Sequence, residues 1–443
     1  MTGPGTLQRI REALESADFR RLFAIRLVSQ SSDGLFQSAL VASVVFAPEQ
    51  QDTALGLLKA TLIVALPYSI LGPFTGVFID RWRRRRILLV APWAKAGVVG
   101  LALFDPIDQA LPFFAGALLV LSVNRFFLAT AAAVVPRLVP SQDLLVANSL
   151  ATVGGTVALL AGVFVGGQVA DAVGGRWATA PVVVAAAGGW LTASWVAHRI
   201  RSPLRATMPP EDPELLRHQL RRVVFEFADG ARRLVRSRRA VGPITSIALD
   251  QVGQGIVLTL SLVVFRQTFG EGVASFSNLI GAGGIGVFVG ILTVGELEER
   301  FSKPRIVAGA FVVGGIVIVA VSLLIRDWSV LVASFAVGLT FAWKKISVDT
   351  MVQEAMPDGY RGRVFSVYDV VYNLARVLAA ALAIPMIPTL NVEGSLAVVG
   401  VVFFLWAPVV GRWYGKEPGT GPSDRDGDPS TGSGAEPRFV APG

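Results

Sequence analysis

Long apolar blocks separated by short polar segments dominate the pattern of this chain. Each block is about 20 residues long, which is the length an α-helix needs to cross roughly 30 Å of hydrocarbon. The blocks lack the ten-residue alternation of apolar and polar positions that is typical of transmembrane barrels. The pattern therefore predicts an all-α membrane protein with twelve spans, near residues 22–47, 54–79, 87–104, 111–135, 146–170, 178–198, 241–265, 275–295, 305–325, 328–350, 364–387 and 393–411.

The arrangement of these blocks predicts two bundles of six helices joined by a polar linker. Within the linker, residues 215–235 have helical spacing with a basic face, which favours a position on anionic lipid headgroups. The last segment is rich in Gly, Pro, Ser and Asp, so we expect it to be disordered. The expected divisions are an amphipathic cytoplasmic N-terminus 1–21, a first bundle 22–198, a linker 199–240, a second bundle 241–411 and a tail 412–443.

Composition narrows the possible chemistry. Hydrophobic residues make up 53% of the chain and charged residues 16%, whereas soluble proteins are about 25% charged. The chain has no cysteine and two histidines, which excludes disulfides, thiolate metal sites and cysteine nucleophiles. It also has no Gly-x-x-x-x-Gly-Lys loop for nucleotide phosphates. We therefore expect no cofactor, no metal and no enzymatic activity, with energy drawn from an ion gradient or the substrate's own gradient.

The formal net charge of +8 is concentrated at the ends of the apolar blocks. Lys and Arg collect in the loops on one side, and loops of that kind face the cytoplasm. The sequence therefore predicts a multi-pass protein of the cytoplasmic (inner) membrane with both termini inside. This distribution argues against a nucleic-acid partner.

Short motifs recur in the two halves at nearly constant offset. Gly76-x-x-x-Asp80-Arg81 recurs as Gly295-x-x-x-Glu299-Arg300, and SQSSDG at 29–34 aligns with DQVGQG at 250–255. The recurrence indicates a parallel duplication, which places the substrate path between the halves.

The first of these motifs, extended to Arg84 and Arg85, resembles the helix 2–3 loop signature of the major facilitator superfamily. SQSSDG, VPSQDLLVANSL at 139–150 and MPDGYRGRVFSVY at 356–368 resemble the drug–proton antiporter branch that includes macrolide and enterobactin-type exporters. The chain departs from the family pattern at Arg83, where a glycine is usual, and at Val163, where the helix-5 signature has proline. The missing proline removes an expected kink.

The resemblance implies that the repeated motif closes the cytoplasmic side and opens during transport. Asp80 can also cap a neighbouring helix N-terminus, where a carboxylate gains about 0.3–1 kcal/mol. The alternative is that the arginines serve only to fix topology. The predicted gate consists of Gly76, Asp80, Arg81, Arg84, Gly295, Glu299 and Arg300.

Polar residues inside the spans are the candidates for chemistry, because charge in the membrane is costly unless it faces a cavity or a partner. On helix 1, Gln30, Asp33 and Gln37 share one stripe at 100° per residue. Asp33 and Arg125 on helix 4 lie at the same depth, which predicts an ion pair between them. We expect Asp33 to exchange protons, and a purely structural ion pair is the alternative.

The second half offers further candidates for the proton and substrate cavity. Lys344, Lys345 and Asp349 on helix 10 are expected near the cytoplasmic end, outside the transport site. Lys345 and Asp349 are four residues apart and can neutralise each other. The cavity candidates in this half are Asp250, Gln254, Asp369, Tyr372, Asn373 and Arg376.

Together these patterns favour a monomeric exporter of an amphipathic small molecule, driven by proton entry, that works by rocking of two bundles. The alternatives are a lipid or lysolipid flippase of the same fold and a transport-inactive membrane sensor or scaffold. The expected partners are the small-molecule substrate, protons and anionic lipids at the cytoplasmic surface.

Overall fold

A computed structural model describes residues 11–12, 14–45, 83–104, 110–140, 143–174, 178–202, 213–267 and 273–414. These residues form α-helices and one short 3₁₀ turn, Val135–Arg137. The main helices are α1 (Ala17–Val45), α2 (Arg84–Phe104), α3 (Ala110–Val134), α4 (Leu144–Val173), α5 (Ala180–His198), α6 (Pro213–Arg236), α7 (Arg238–Gln267), α8 (Val273–Arg300), α9 (Lys303–Leu323), α10 (Asp327–Glu354) and α11 (Asp358–Tyr414).

The prediction of an all-α membrane fold with two six-helix bundles is confirmed. The second predicted span, 54–79, lies outside the described residues. Helix α11 contains the last two predicted spans, separated by a break at Asn391, whose φ is 57°. Residues 17–21, predicted as part of a separate surface segment, form the start of α1. Among the described residues, seven helical stretches are long and apolar enough to cross a membrane.

Each half of the molecule has its own apolar core. Phe19, Ile25 and Phe127 are buried in the first half, on helices α1 and α3. Phe311 and Phe403 are buried in the second half and meet edge to face with their ring centroids 5.1 Å apart. The two largest apolar cores therefore each lie within one half of the molecule.

The amphipathic linker helix predicted near 215–235 is observed as α6. It is attached to the second half by Arg363, which lies 2.8 Å from Asp229 and 3.7 Å from Glu226. Gly230 packs directly on the backbone of Arg363. We call the side of the molecule that carries α6 the linker end, and the opposite side the far end.

Direct contacts between the halves occur towards the far end. Gln168 on α4 donates a hydrogen bond to Asn278 on α8 at 2.9 Å. One to two turns nearer the middle, Gly284 packs against the side chain of Leu160. Val41 of α1 adds to an apolar cluster formed around Leu279 of the second half. These contacts join the two halves near the far end.

Glycines allow very close packing between α1 and α4. A Cβ on Gly162 would lie 2.0 Å from the carbonyl oxygen of Ser31, and one on Gly34 would lie 2.1 Å from that of Leu159. Both obstacles are backbone atoms of a neighbouring helix, so they cannot rotate away. This contact is the small-residue packing typical of membrane helices.

We predict that Gly162→Ala lowers the melting temperature of the detergent-solubilised protein. Forcing an extra methyl group into a packed contact costs about 1–3 kcal/mol. Gly188→Ala on α5 is the matched control, because nothing lies within 4 Å of its Cβ position. Alanine is favoured over glycine inside a helix by about 0.5–1 kcal/mol, so the control should be neutral or stabilised. Equal melting temperatures for the two variants would contradict the close packing.

Candidate functional site

A fully buried ion pair lies inside the first half. Lys95 Nζ on α2 lies 2.6 Å from Asp33 Oδ1 on α1, and their side chains are 0% and 4% exposed. Lys95 also donates hydrogen bonds to Ser29 and Asn124, both at 3.1 Å. Trp190 on α5 donates its indole N–H to Asp33 Oδ1 at 2.9 Å. One ion pair therefore connects four helices.

The predicted Asp33–Arg125 pair is wrong. Both residues have the expected depth, but α3 presents Arg125 to the second half of the molecule instead of to α1. Asp33 is paired with Lys95, which the sequence analysis did not select. A lone lysine in the middle of the apolar stretch 87–104 was the available signal, since such a charge needs a buried partner.

The second half contains an equivalent pair, Asp250 of α7 with Lys344 of α10, and both side chains are buried. Gln254 donates a hydrogen bond to the other carboxylate oxygen of Asp250 at 2.5 Å. Lys344 Nζ lies 4.6 Å from the ring centroid of Phe311 and 4.8 Å from that of Phe403. Asp250 and Gln254, predicted in the cavity, are thus parts of an internal structural contact.

Aromatic rings flank the lysine in both halves. Lys95 Nζ lies 5.2 Å from the ring centroid of Phe127 and 4.9 Å from that of Trp190. A cation near an aromatic face gains about 0.5–2 kcal/mol, which offsets part of the cost of burying it. Removing one partner of such a pair would leave an uncompensated buried charge.

A different kind of ion pair joins the two halves. Arg125 of α3 lies 3.6 Å from Asp369 of α11, and their side chains are 26% and 50% exposed. The exposure shows that this contact borders open space, unlike the two internal pairs. Among the described residues, it is a point at which charged groups of the first and second halves meet.

Lys345 and Asp349 of α10 extend this charged region within the second half. Lys345 Nζ lies 2.7 and 2.5 Å from the Asp349 carboxylate oxygens, which confirms the predicted pair. Tyr368 donates its hydroxyl to Asp349 at 2.7 Å, and Lys345 lies 5.6 Å from the ring of Tyr372. Lys345 and Asp349, which the sequence analysis expects outside the transport site, therefore contact α11 beside the predicted cavity residue Tyr372.

Arg376 completes the region one turn along α11. Its Nε donates a hydrogen bond to Gln251 Oε1 at 2.7 Å, and one NH2 group donates to the Tyr372 hydroxyl at 3.2 Å. Asn373 donates to the backbone oxygen of Asp369 at 2.7 Å, so its amide is used locally. We call the central cluster the set Arg125, Lys345, Asp349, Tyr368, Asp369, Tyr372 and Arg376.

The remaining cavity candidates lie on α1. Gln30 is buried and accepts a hydrogen bond from Arg26 at 3.1 Å. Gln37 is half-buried. The structure therefore does not bring the polar stripe of α1 together with the central cluster as one set of contacts.

The predicted gate is described only in part, since Gly76, Asp80 and Arg81 lie outside the described residues. Arg84 is buried and donates to the carbonyl oxygen of Ala133 in the last turn of α3 at 3.2 Å, within its own half. The second-half members Gly295, Glu299 and Arg300 are exposed at the linker end of α8.

A basic pocket of about 590 Å³ lies at the linker end of the first half, away from the central cluster. Asp18, at the start of α1 and outside its predicted span, binds one pocket arginine, Arg21, at 2.6 Å. Partial burial raises the pKa of Asp18, but hydrogen bonds from Ser202, Arg21 and Arg201 outweigh it and lower the pKa to about 2. The pocket is lined by Arg21, Arg85, His198, Arg199, Ile200 and Arg201.

Comparison with known proteins gives a consistent result. The Major Facilitator Superfamily model matches residues 22–380 and 244–440. Uncharacterized MFS-type transporters of Mycobacterium bovis and Mycobacterium tuberculosis are each 26% identical over 413 residues, covering 90% of this chain and 91% of the relative.

Solved structures of peptide transporters share the fold. A POT peptide transporter in complex with alafosfalin has a TM-score of 0.67 at 15% identity, covering 89% of this chain and 95% of that chain. The POT family transporter PepTSo has a TM-score of 0.68 at 10% identity, covering 90% and 97%. At this level of identity, the likeness concerns the fold alone.

We predict that Asp33→Asn and Lys95→Met each destabilise the protein by about 3–5 kcal/mol, while the double variant loses much less than the sum. Each single change leaves one buried charge without its counter-ion, and the double change removes both charges. Melting temperatures of the detergent-solubilised protein measure the effect. Arg222→Ala is the control, since its pair with Glu226 lies at the surface and should change stability by at most about 1 kcal/mol. Additive losses would contradict a coupled buried pair.

Proposed function

The chain belongs to the major facilitator superfamily, and we propose that it is a proton-coupled secondary transporter that exports amphipathic small molecules. Transport proceeds by rocking of the two six-helix halves around the central cluster. The linker end lies in the cytoplasm of a cell whose inner membrane holds the protein.

The observation that carries this proposal is the partly exposed ion pair between Arg125 and Asp369. It connects the halves beside open space, so a proton can reach the carboxylate without passing through a packed core. Protonation of Asp369 removes the charge that attracts Arg125 and weakens one link between the halves. Proton binding and the relative position of the halves are thereby coupled.

Asp33 is less suited to this role because its protonation would leave Lys95 charged and fully buried without its counter-ion.

One observation favours Asp33 as a second candidate for the proton-carrying residue. Its Oδ2 atom is buried and has no hydrogen-bond partner among the described residues. That oxygen could accept a proton while Oδ1 keeps its contacts with Lys95 and Trp190.

The order of events follows from the charge balance. In the inward-facing state, Asp369 is ionised and paired with Arg125, as in the described conformation. Substrate binding and rocking expose the cluster to the outside, where substrate leaves and a proton binds Asp369. The protonated protein returns inwards and releases the proton, which restores the ion pair.

We predict that Asp369→Asn abolishes proton movement driven by substrate while slow downhill exchange continues, because an amide cannot carry the proton. Proteoliposomes with internal pyranine report proton flux on addition of ethidium, fluorescein, fluorescein methyl ester or lysophosphatidylcholine. The wild type should respond to at least one probe, and Asp33→Asn/Lys95→Met should retain the response per folded molecule.

Four outcomes of this experiment bear on the proposal. Full substrate-driven proton flux in Asp369→Asn, together with loss of that flux in Asp33→Asn/Lys95→Met, would transfer the proton-carrying role to Asp33. No probe-dependent proton flux in the wild type would reject proton coupling. A response to lysophosphatidylcholine alone would favour the flippase function. Loss of flux in Asp369→Asn with retained downhill exchange supports the proposal.

We also propose that the basic pocket binds the headgroup of an anionic lipid. Arg199 is stacked 3.8 Å from the ring centroid of Trp195, and half-exposed tryptophan at a helix end is typical of the membrane interface. Attraction to an anionic surface is worth about 1 kcal/mol for each nearby arginine.

The Arg85→Gln/Arg199→Gln variant should therefore bind fewer phosphatidylglycerol molecules in native mass spectrometry of the full-length protein. Phosphatidylcholine binding should be unchanged, because that headgroup has no net charge. Arg305→Gln, at an exposed position at the start of α9 outside the pocket and outside α6, is the matched control for loss of a positive charge. Unchanged phosphatidylglycerol occupancy in the double variant would contradict a lipid site in this pocket.

A further inference from the structure

We propose that the central cluster recognises an anionic group of the transported molecule and that Arg376 binds this group. The inference builds on the proposed transport function and specifies its substrate as an amphipathic organic anion. It follows from the charges of the cluster and from the way in which Arg376 is held.

The charges of the cluster do not balance. Its three cations are Arg125, Lys345 and Arg376, and its two acids are Asp349 and Asp369. Arg125 is paired with Asp369, and Lys345 is paired with Asp349. Arg376 has no acidic partner among the described residues. The predicted span 54–79, which lies outside them, contains no Asp or Glu in its sequence.

Neutral groups hold Arg376 in place. Gln251 Oε1 accepts from its Nε at 2.7 Å, the Tyr372 hydroxyl accepts at 3.2 Å, and the Tyr372 ring centroid lies 5.1 Å from the guanidinium carbon. These contacts orient the guanidinium but leave its positive charge uncompensated. A guanidinium has five N–H donors, so donors remain for a carboxylate or phosphate, which arginine binds in a two-pronged geometry.

Gln251 provides an independent indication of a missing acceptor. Its side chain is 1% exposed, and its Nε2 atom has no hydrogen-bond partner among the described residues. A buried amide donor without an acceptor costs about 1–3 kcal/mol. Because the same amide group contacts Arg376 through Oε1, we infer that an anion on Arg376 supplies this acceptor once the Gln251 side chain turns towards it.

The surroundings of Arg376 indicate the rest of the substrate. The half-buried ring of Tyr372 lies beside Arg376, with its centroid 5.1 Å from the guanidinium carbon, and the fully buried ring of Tyr368 supports it at a centroid distance of 6.3 Å. Aromatic rings offer apolar contact area to a planar or aliphatic body. An anion with an apolar body therefore fits both the unmatched cation and its neighbours.

The test compares acids with their uncharged counterparts on the purified full-length protein in detergent, without a pH gradient. Three pairs serve as probes: 1-naphthylacetic acid and pyrenebutyric acid, each against its methyl ester, and 4-methylumbelliferyl phosphate against 4-methylumbelliferone. We expect at least one anion to bind at least about tenfold more tightly than its uncharged counterpart. Arg376→Gln should weaken anion binding about tenfold to hundredfold, the range for a hydrogen bond to a charged group.

The uncharged partners should bind Arg376→Gln as they bind the wild type. Arg376→Lys should keep part of the preference, because it keeps the charge but loses the two-pronged geometry. Arg222→Gln is the matched surface control and should leave every affinity unchanged. Comparing the preference for the phosphate with the preference for the two carboxylates shows which kind of anion the protein favours.

No preference for any anion in the wild type would overturn the inference, as would equal losses for anions and uncharged partners in Arg376→Gln. Proton-coupled transport of cationic probes without anion preference would overturn this inference while leaving the proposed function intact. Anion preference that depends on Arg376, in a protein without proton-coupled transport, would overturn the proposed function alone.

Discussion

The cost of placing charge in a medium of low polarity governs the organisation of this molecule. Within each half, a buried carboxylate and a buried lysine neutralise each other, as in Asp33–Lys95 and Asp250–Lys344. Between the halves, the charges of Arg125 and Asp369 remain partly exposed. The buried pairs hold helices together, whereas the exposed pair is free to exchange partners, so the location of a charge separates structural roles from proposed transport roles.

Close packing reinforces this separation. Helices α1 and α4 approach each other through Gly34 and Gly162, which makes the first half a compact body. The second half encloses its lysine between Phe311 and Phe403. Two internally satisfied bodies that meet at the far end can change their relative orientation without breaking either core. The contacts most exposed to such a change are those between the halves, and Arg125–Asp369 is the charged one among them.

The sequence predicts the helices well because apolar length and the placement of charges are local properties. The i,i+4 spacing of Lys345 and Asp349 likewise predicts their pair. Partners across helices are harder to predict, because depth along an axis does not give the direction in which a side chain points. Asp33 and Arg125 share a depth but face different neighbours, and the true partner, Lys95, is on a helix that the depth argument did not consider. The packing of α7 against α11, which brings Gln251 to Arg376, has no signal in the sequence.

We propose that protonation of Asp369 controls the relative position of the halves. The chain has no native cysteine, so spin labels at Ala132→Cys on α3 and Glu298→Cys on α8 report the opening at the linker end through electron–electron distance measurements in nanodiscs. The account predicts a distance distribution that shifts with pH in the otherwise unchanged protein and does not shift in Asp369→Asn. A pH-dependent shift that persists in Asp369→Asn would contradict it.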